Sequence, residues 1–241
     1  MIYVTGDTHG EVDIMKLSNK KFPQGKNLTK KDYVIVMGDF GVIFNPVIYN
    51  QKGEPLVDRQ EKYLLNFLNE RKFTTLFIRG NHDNYPKLET FPDVEMFGST
   101  VKQISDSVFY LLDSHIYNID GNSVFCLGGA ESVDKMYRRE GVSWWREEIP
   151  SYKTIQEGFD LLKTVGNKVD YVFSHAIHMN AYTYIYDEFG EKYNDPMNKI
   201  LQILYDTIEC KKYYCGHYHQ DIDIPKYRTR MLYNRIVPLG E

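Results

Sequence analysis

Cysteine is scarce in this chain. The 241 residues hold three, Cys126, Cys210 and Cys215, an odd number with no CxxC pair. Cys126 and Cys215 stand inside apolar runs, where a free thiol behaves as a small hydrophobe. The pattern argues against a disulfide framework and for a reducing compartment, so a cytoplasmic protein is expected. A basic excess is also missing: 29 Lys and Arg face 33 Asp and Glu, for a formal charge of −4. The composition therefore carries no electrostatic footprint for nucleic acid. No apolar stretch approaches the roughly 20 residues that a membrane span needs. The first residues, MIYVTGDTHG, offer neither the basic start nor the apolar middle of a signal peptide. No repeat, low-complexity tract or linker interrupts the chain, and one domain over residues 1–241 is expected.

What the chain does have is a regular alternation of short apolar runs and helical patterns. Ile2 to Val4, Tyr33 to Met37 and Leu76 to Ile78 read as buried strands. Between them, Glu11 to Asn19 and Leu56 to Lys72 read as helices, the second on the spacing of Tyr63, Leu64, Phe67 and Leu68. This βαβαβ order predicts a parallel sheet. The middle predicts close-set strands over Val101 to Ile104, Val108 to Leu112, His115 to Ile119 and Ser123 to Leu127, with a tight hairpin at Asp120-Gly121-Asn122. A helix is expected over Ser151 to Val165, a strand over 170–175, and a helix over Pro196 to Glu209. Strands over 212–219, 222–224 and 231–237 close the chain. The fold class is α/β, with an antiparallel middle.

The polar residues that follow the strands form a set. They are Asp7 and His9 in GDTHG, Asp39 in GD, Asn81, His82 and Asp83 in GNHD, His175 after a strand, and His217 and His219 in GHYH. Parallel strands gather their C-termini at one edge, and ligands bind there. The two-residue spacing in Asp7-x-His9 and His217-x-His219 would put each pair on one face of an extended segment. Carboxylate mixed with imidazole suits Mn, Fe or Zn better than Mg or Ca. Seven candidates, Asp7, His9, Asp39, Asn81, His175, His217 and His219, are too many for one ion. They suit two ions sharing a carboxylate, with Asp39 as the bridge. A lone Gly-Asp is usually only a turn; it is the ordered set that points to a site. His115 lies in an alternating strand pattern and reads as a packing or surface residue. His178 reads either way.

The ordered blocks DxH, GD, GNH[DE], His and GHxH resemble the signature of the calcineurin-like metallophosphoesterase superfamily, and all five are present between residues 5 and 219. The resemblance implies a four-layer α-β-β-α sandwich of two mixed sheets flanked by helices. It also implies one metal held by Asp7, His9, Asp39 and His219 and a second by Asp39, Asn81, His175 and His217. His82 would be no ligand but would face the leaving group, as an acid or charge stabiliser. The implied reaction is hydrolysis of a phosphate ester by a metal-bridging hydroxide, with Asp39 and His82 as catalytic residues and two divalent transition-metal ions as cofactors, manganese first and iron or zinc as alternatives. No Cys or Ser stands in a nucleophile motif.

The second block departs from the GDxVDRG of the Ser/Thr protein phosphatases, since Gly38-Asp39 is followed by Phe40-Gly41-Val42-Ile43. The Asp that orients the GNH histidine and the Arg that grips phosphate are missing. Residues 129–148 offer a replacement, with Arg138 and Arg139 as candidate phosphate contacts; in the other reading those arginines pair with nearby acids on the surface. The stretch resembles one found in a bacterial and phage branch of the superfamily. Tyr182, Tyr184 and Tyr186 alternate in residues 182–193, as a strand face or lid whose Tyr182 stacks a base, or as a hairpin packed on the core. The favoured substrate is a small phosphoester, nucleotides included. A nuclease is the second reading, disfavoured by the charge balance, and a scaffold without catalysis is the third, disfavoured because every motif position is filled.

Overall fold

The structure is a computed structural model that describes residues 1–186 and 195–241. The first six strands are β1 (Ile2–Thr5), β2 (Tyr33–Met37), β3 (Thr74–Ile78), β4 (Asp93–Met96), β5 (Ser99–Ser105) and β6 (Val108–Leu111). Then follow β7 (His115–Ile119), β8 (Asn122–Leu127), β9 (Tyr171–Ser174), β10 (Lys212–Cys215), β11 (Ile222–Ile224), β12 (Thr229–Met231) and β13 (Ile236–Pro238). The helices are α1 (Arg59–Asn69), α2 (Tyr85–Leu88), α3 (Tyr152–Thr164), α4 (Met179–Tyr186) and α5 (Pro196–Thr207). A seven-stranded sheet has the order β13-β1-β2-β3-β6-β5-β4, and a six-stranded sheet the order β11-β12-β10-β9-β8-β7. In each, the central strands are parallel and the edges antiparallel.

Alternation along the strands decides the layering. Successive side chains point to opposite faces. In β2, Val34 and Val36 pack with Leu64 and Leu68 of α1. Ile35 and Met37 pack instead with Tyr117, Val124, Phe173 and Tyr214 of the other sheet. The outer face of that second sheet sets Phe125, Val172 and Tyr213 against Leu162 of α3 and Met197, Leu201 and Leu204 of α5. A strand covered on both faces must read as a continuous apolar run, as Tyr33 to Met37 does. Each such side chain contributes about 1.5–3 kcal/mol by leaving water. The result is the four-layer α-β-β-α sandwich expected from the sequence.

Helices α3 and α5 begin where their caps stand. Ser151 accepts from the backbone N–H of Thr154, and Asp195, just before Pro196, forms a reciprocal capping box with Asn198 in the first turn. Among the described residues no helix is long and apolar enough to cross a membrane. All three cysteines are buried free thiols.

Four local expectations are corrected. The segment Glu11 to Asn19 is no α-helix: it holds a single 3₁₀ turn, Ile14–Leu17, with Ile14 and Leu17 inward and Val12 and Met15 exposed. An inward pair three residues apart is the 3₁₀ repeat. The strand expected over 212–219 stops at Cys215, because the chain turns at Gly216 and His217 takes a φ of +71°. The strand expected over 231–237 is broken, because the N–H groups of Tyr233, Asn234 and Arg235 are bound by the Asp221 carboxylate and withdrawn from any ladder. Residues 182–186 lie in helix α4, so Tyr182 and Tyr186 share a face instead of alternating across one, with ring centroids 4.8 Å apart. The remainder of that expected segment, 187–193, lies outside the described residues.

Candidate metal centre

The C-terminal ends of β1, β2 and β3 in one sheet meet those of β9 and β10 in the other. Asp7, His9 and His219 form one cluster there and Asp39, His175 and His217 a second, the ligand atoms of each lying within 4.8 Å of one another. Asp39 stands between them: its Oδ2 is 3.3 Å from His9 Nε2, and its Oδ1 is 3.2 Å from His175 Nε2. His219 Nε2 lies 3.3 Å from Asp7 Oδ2. Asn81 directs its amide oxygen at the second cluster, 3.2 Å from His175 Nε2, and donates its Nδ2 to Ser132 Oγ at 3.1 Å.

This convergence requires unusual backbone. His9, Asp39, His217 and His219 all have positive φ, between 42° and 71°. A left-handed conformation costs a non-glycine residue about 1–2 kcal/mol and persists only where the surroundings enforce it. The flanking glycines permit the close approach. A Cβ at Gly80 would run into the Asp39 carboxylate and backbone, and one at Gly216 into the Asp7 carboxylate. The strand ends are also stitched together. His82 N–H donates to Asp39 Oδ1 at 2.7 Å, and His217 N–H to Asp7 Oδ1 at 2.9 Å. His175 Nδ1 faces the Met37 carbonyl at 2.8 Å and His9 Nδ1 the Asp13 carboxylate at 3.0 Å, which leaves both Nε2 atoms free to point inward.

Asp7 and Asp39 are 0% and 1% exposed, and among the described residues neither has a Lys or Arg ion pair. Burial opposes their ionisation, yet the surrounding imidazoles hold both carboxyls below the usual range. In return, and against the effect of burial, the carboxylates push His9 up to about 9 and His175 up to about 10. Burial and the neighbouring His175 press His217 down to about 3. Two buried carboxylates that draw protons onto adjacent rings mark a site short of positive charge. Imidazole nitrogen, carboxylate and one amide oxygen are donors that fit borderline divalent metals.

A family model described as calcineurin-like phosphoesterase matches residues 1–221. The chain belongs to the calcineurin-like phosphoesterases. This family implies divalent metal ions, and the two clusters are where this member would hold them. No curated protein matches the chain. Among solved structures, it is similar to a protein from Staphylococcus aureus described provisionally as a 5'-nucleotidase, in complex with alpha-ketoglutarate. That pair shares 16% identity at a TM-score of 0.46, over 96% of this chain and 48% of the other. The phosphopantetheinyl hydrolase of Mycobacterium tuberculosis shares 13% identity at a TM-score of 0.44, over 97% of this chain and 89% of the other. The chain spans about half the length of the first of these.

In this calcineurin-like phosphoesterase, the seven residues expected at a metal site come together. His82 lines the same centre, its ring 5.6 Å from that of His9 and edge-on to it. The neighbour that the departure at Phe40–Ile43 left open is Arg138: Nη1 donates toward His82 Nδ1 at 3.1 Å, and Nε is held by Asp134 at 2.7 Å. Burial lowers the His82 pKa, and Arg138 adds to that while Asp39 opposes it. Arg138 thus pairs with a local acid, as one reading expected, and also bonds the ring of His82. Arg139 is exposed, its backbone N–H donates to Ser143 Oγ and its carbonyl accepts from Val142 and Ser143 N–H, and among the described residues its guanidinium has no hydrogen bond or ion pair to the site. Tyr182 is 8% exposed and packed against Tyr186 and Tyr218, so its ring is a core element and not a free stacking face. His178 is likewise core, stacked on Tyr205 at 4.0 Å. His115 stacks on Tyr117.

Sequence reasoning assigned no role to three residues that support the centre. Asp83 is fully buried and accepts from the N–H groups of Gly80, Gly41 and Phe40, at 2.8, 2.9 and 3.3 Å. Burial and nearby Asp39 push it up to about 7. Lys16 donates Nζ to the carbonyls of Gly6, Asp7 and Tyr233, at 2.8, 2.6 and 2.5 Å. Asp195 accepts from Glu131 N–H at 2.7 Å and lies 3.9 Å from His217 Nε2. The fourth letter of GNHD was the one visible signal, for Asp83; the other two sit in stretches that carry no motif.

Proposed function

We propose that this chain hydrolyses small phosphate esters at a pair of divalent metal ions held by Asp7, His9, Asp39 and His219 on one side and Asp39, Asn81, His175 and His217 on the other. The observation that carries the reading is Asp39, whose two carboxylate oxygens face different clusters at 3.3 and 3.2 Å. Such a pair of ions supplies a nucleophile at neutral pH and neutralises phosphoryl charge. His82, beside the clusters but in neither, is the group placed to donate a proton to the departing oxygen. Arg138 offers guanidinium N–H groups at the same place, suited to phosphoryl oxygens. No thiol takes part, since Cys126, Cys210 and Cys215 are all buried. Manganese is the first candidate metal, with iron and zinc as alternatives.

The test loads the purified protein with Mn²⁺, Fe²⁺ or Zn²⁺ and screens monoesters, diesters, nucleotides and oligonucleotides, with elemental analysis of each preparation. Turnover of small esters with about two ions per chain is expected. Turnover confined to oligonucleotides would move the assignment to a nuclease, and at most one ion per chain would end the two-ion reading.

A further inference from the structure

The metal clusters leave open what is attached to the phosphate, and the adjoining surface speaks to that. A cavity of about 290 Å³ opens beside His9 and His82. This is just under the roughly 300–1,000 Å³ of typical small-molecule sites, room for one ring but not for a peptide or an oligonucleotide. Val12, Phe44 and Leu64 supply apolar walls. The Phe44 ring is tilted 32° to that of His82 at 6.4 Å and braced edge-on by Trp145 at 5.0 Å. Gln60, Asn45, Glu11 and Glu61 make the polar rim. No Lys or Arg is among the lining residues. Lys87 is held by the Glu61 carboxylate at 2.5 Å and the Asn45 carbonyl at 3.2 Å, while Glu11 is exposed and makes no ion pair among the described residues.

We infer that this cavity receives the leaving group, and that the leaving group is a neutral, ring-bearing alcohol. The inference rests on the phosphoesterase reading and deepens it. His82 is the hinge of the argument. It forms part of the cavity lining while Arg138 bonds its ring, so an oxygen departing next to His82 carries its substituent into the cavity. An aromatic wall favours a planar ring, through offset or edge contacts. Glu11, an acid on the rim with no basic partner among the described residues, repels a second phosphate or a carboxylate. Bisphosphates and nucleoside polyphosphates that would place an anion there are selected against.

A matched pair of esters isolates the charge. Phenyl phosphate and 4-carboxyphenyl phosphate have the same ring and leaving phenols of similar acidity. The metal-loaded protein is expected to prefer phenyl phosphate in kcat/KM by about five- to tenfold, and Glu11→Lys to shrink or reverse that ratio. Phe44→Leu is expected to cost phenyl phosphate and a nucleoside monophosphate about tenfold while methyl phosphate changes little; which of the two ring esters loses more tells aryl from nucleoside substrates. Calorimetry with phenylphosphonate and 4-carboxyphenylphosphonate reads the same discrimination without turnover. A ratio near one, or one unmoved by Glu11→Lys, overturns the inference and leaves the phosphoesterase reading standing. Hydrolysis of none of these esters, methyl phosphate included, overturns both.

Discussion

Asp83 joins two of the motif loops, and its removal tests how the site is held. The carboxylate accepts from Gly80 N–H at 2.8 Å and Gly41 N–H at 2.9 Å, with Phe40 N–H at a longer 3.3 Å. Gly80 precedes Asn81 and His82, and Phe40 and Gly41 follow Asp39, so one side chain sets the spacing of the second and third blocks. In Asp83→Ala these donors stay buried without an acceptor. At about 1–3 kcal/mol for each of the two short bonds, the loss is about 2–6 kcal/mol. Set against a domain stability of about 5–15 kcal/mol, that is enough to threaten folding. Asp83→Asn keeps one acceptor oxygen but turns an NH₂ toward a backbone donor, and is expected to lose about half as much. Guanidinium unfolding followed by circular dichroism gives the stability, and an unchanged m-value confirms that the native state alone has changed. Elemental analysis gives the metal content, expected to fall as the loops lose register. If Asp83→Ala stays within about 0.5 kcal/mol of the parent and binds the same metal, the clamp has no energetic role.

Asp39→Asn is expected to weaken both metal positions together, because it removes charge from a carboxylate whose two oxygens face different clusters; elemental analysis after Mn loading that finds one site emptied and the other full would contradict a shared ligand. His82→Ala is expected to fold and keep its metal but lose about 10²–10⁴-fold in turnover, with a smaller loss on p-nitrophenyl esters, whose leaving group needs little protonation; equal losses on good and poor leaving groups would count against an acid. His178 gives a pH dependence away from the site. Burial depresses it from the ordinary 6.5 to about 4, so the unfolded chain takes up its proton first, and stability falls as pH drops from about 6.5 to 4, by up to about 3 kcal/mol. His178→Phe is expected to flatten the thermal-denaturation profile over that window, and an unchanged acid limb would refute the assignment.

The architecture was legible in the residues alone, and so were the polar side chains that the fold gathers at the strand ends. Tyr33 to Met37 and Leu76 to Ile78 are apolar at every position because both faces are covered, and such runs can be read without coordinates. Glycines beside Asp, Asn and His at the ends of those runs are legible for a related reason: only glycine allows the approach that Gly80 and Gly216 make to the carboxylates. What one sequence does not carry is the geometry between distant segments. Asp7-x-His9 and His217-x-His219 were expected on extended faces, yet His9, His217 and His219 have positive φ in loops past the strand ends. Asp7 and His9 stay together in one cluster, while the second pair is divided, so that His219 joins Asp7 and His9 and His217 joins Asp39 and His175. Local spacing cannot express that pairing, because it depends on how two sheets meet. The tyrosines of 182–186 illustrate the same limit: alternate spacing suits a strand, but burial against Tyr218 and contact with α5 make the segment helical. Arg138 and Asp83 were decided last, because a guanidinium beside an imidazole 56 residues away, or a carboxylate gathering N–H groups from two loops, exists only once the fold has brought them together.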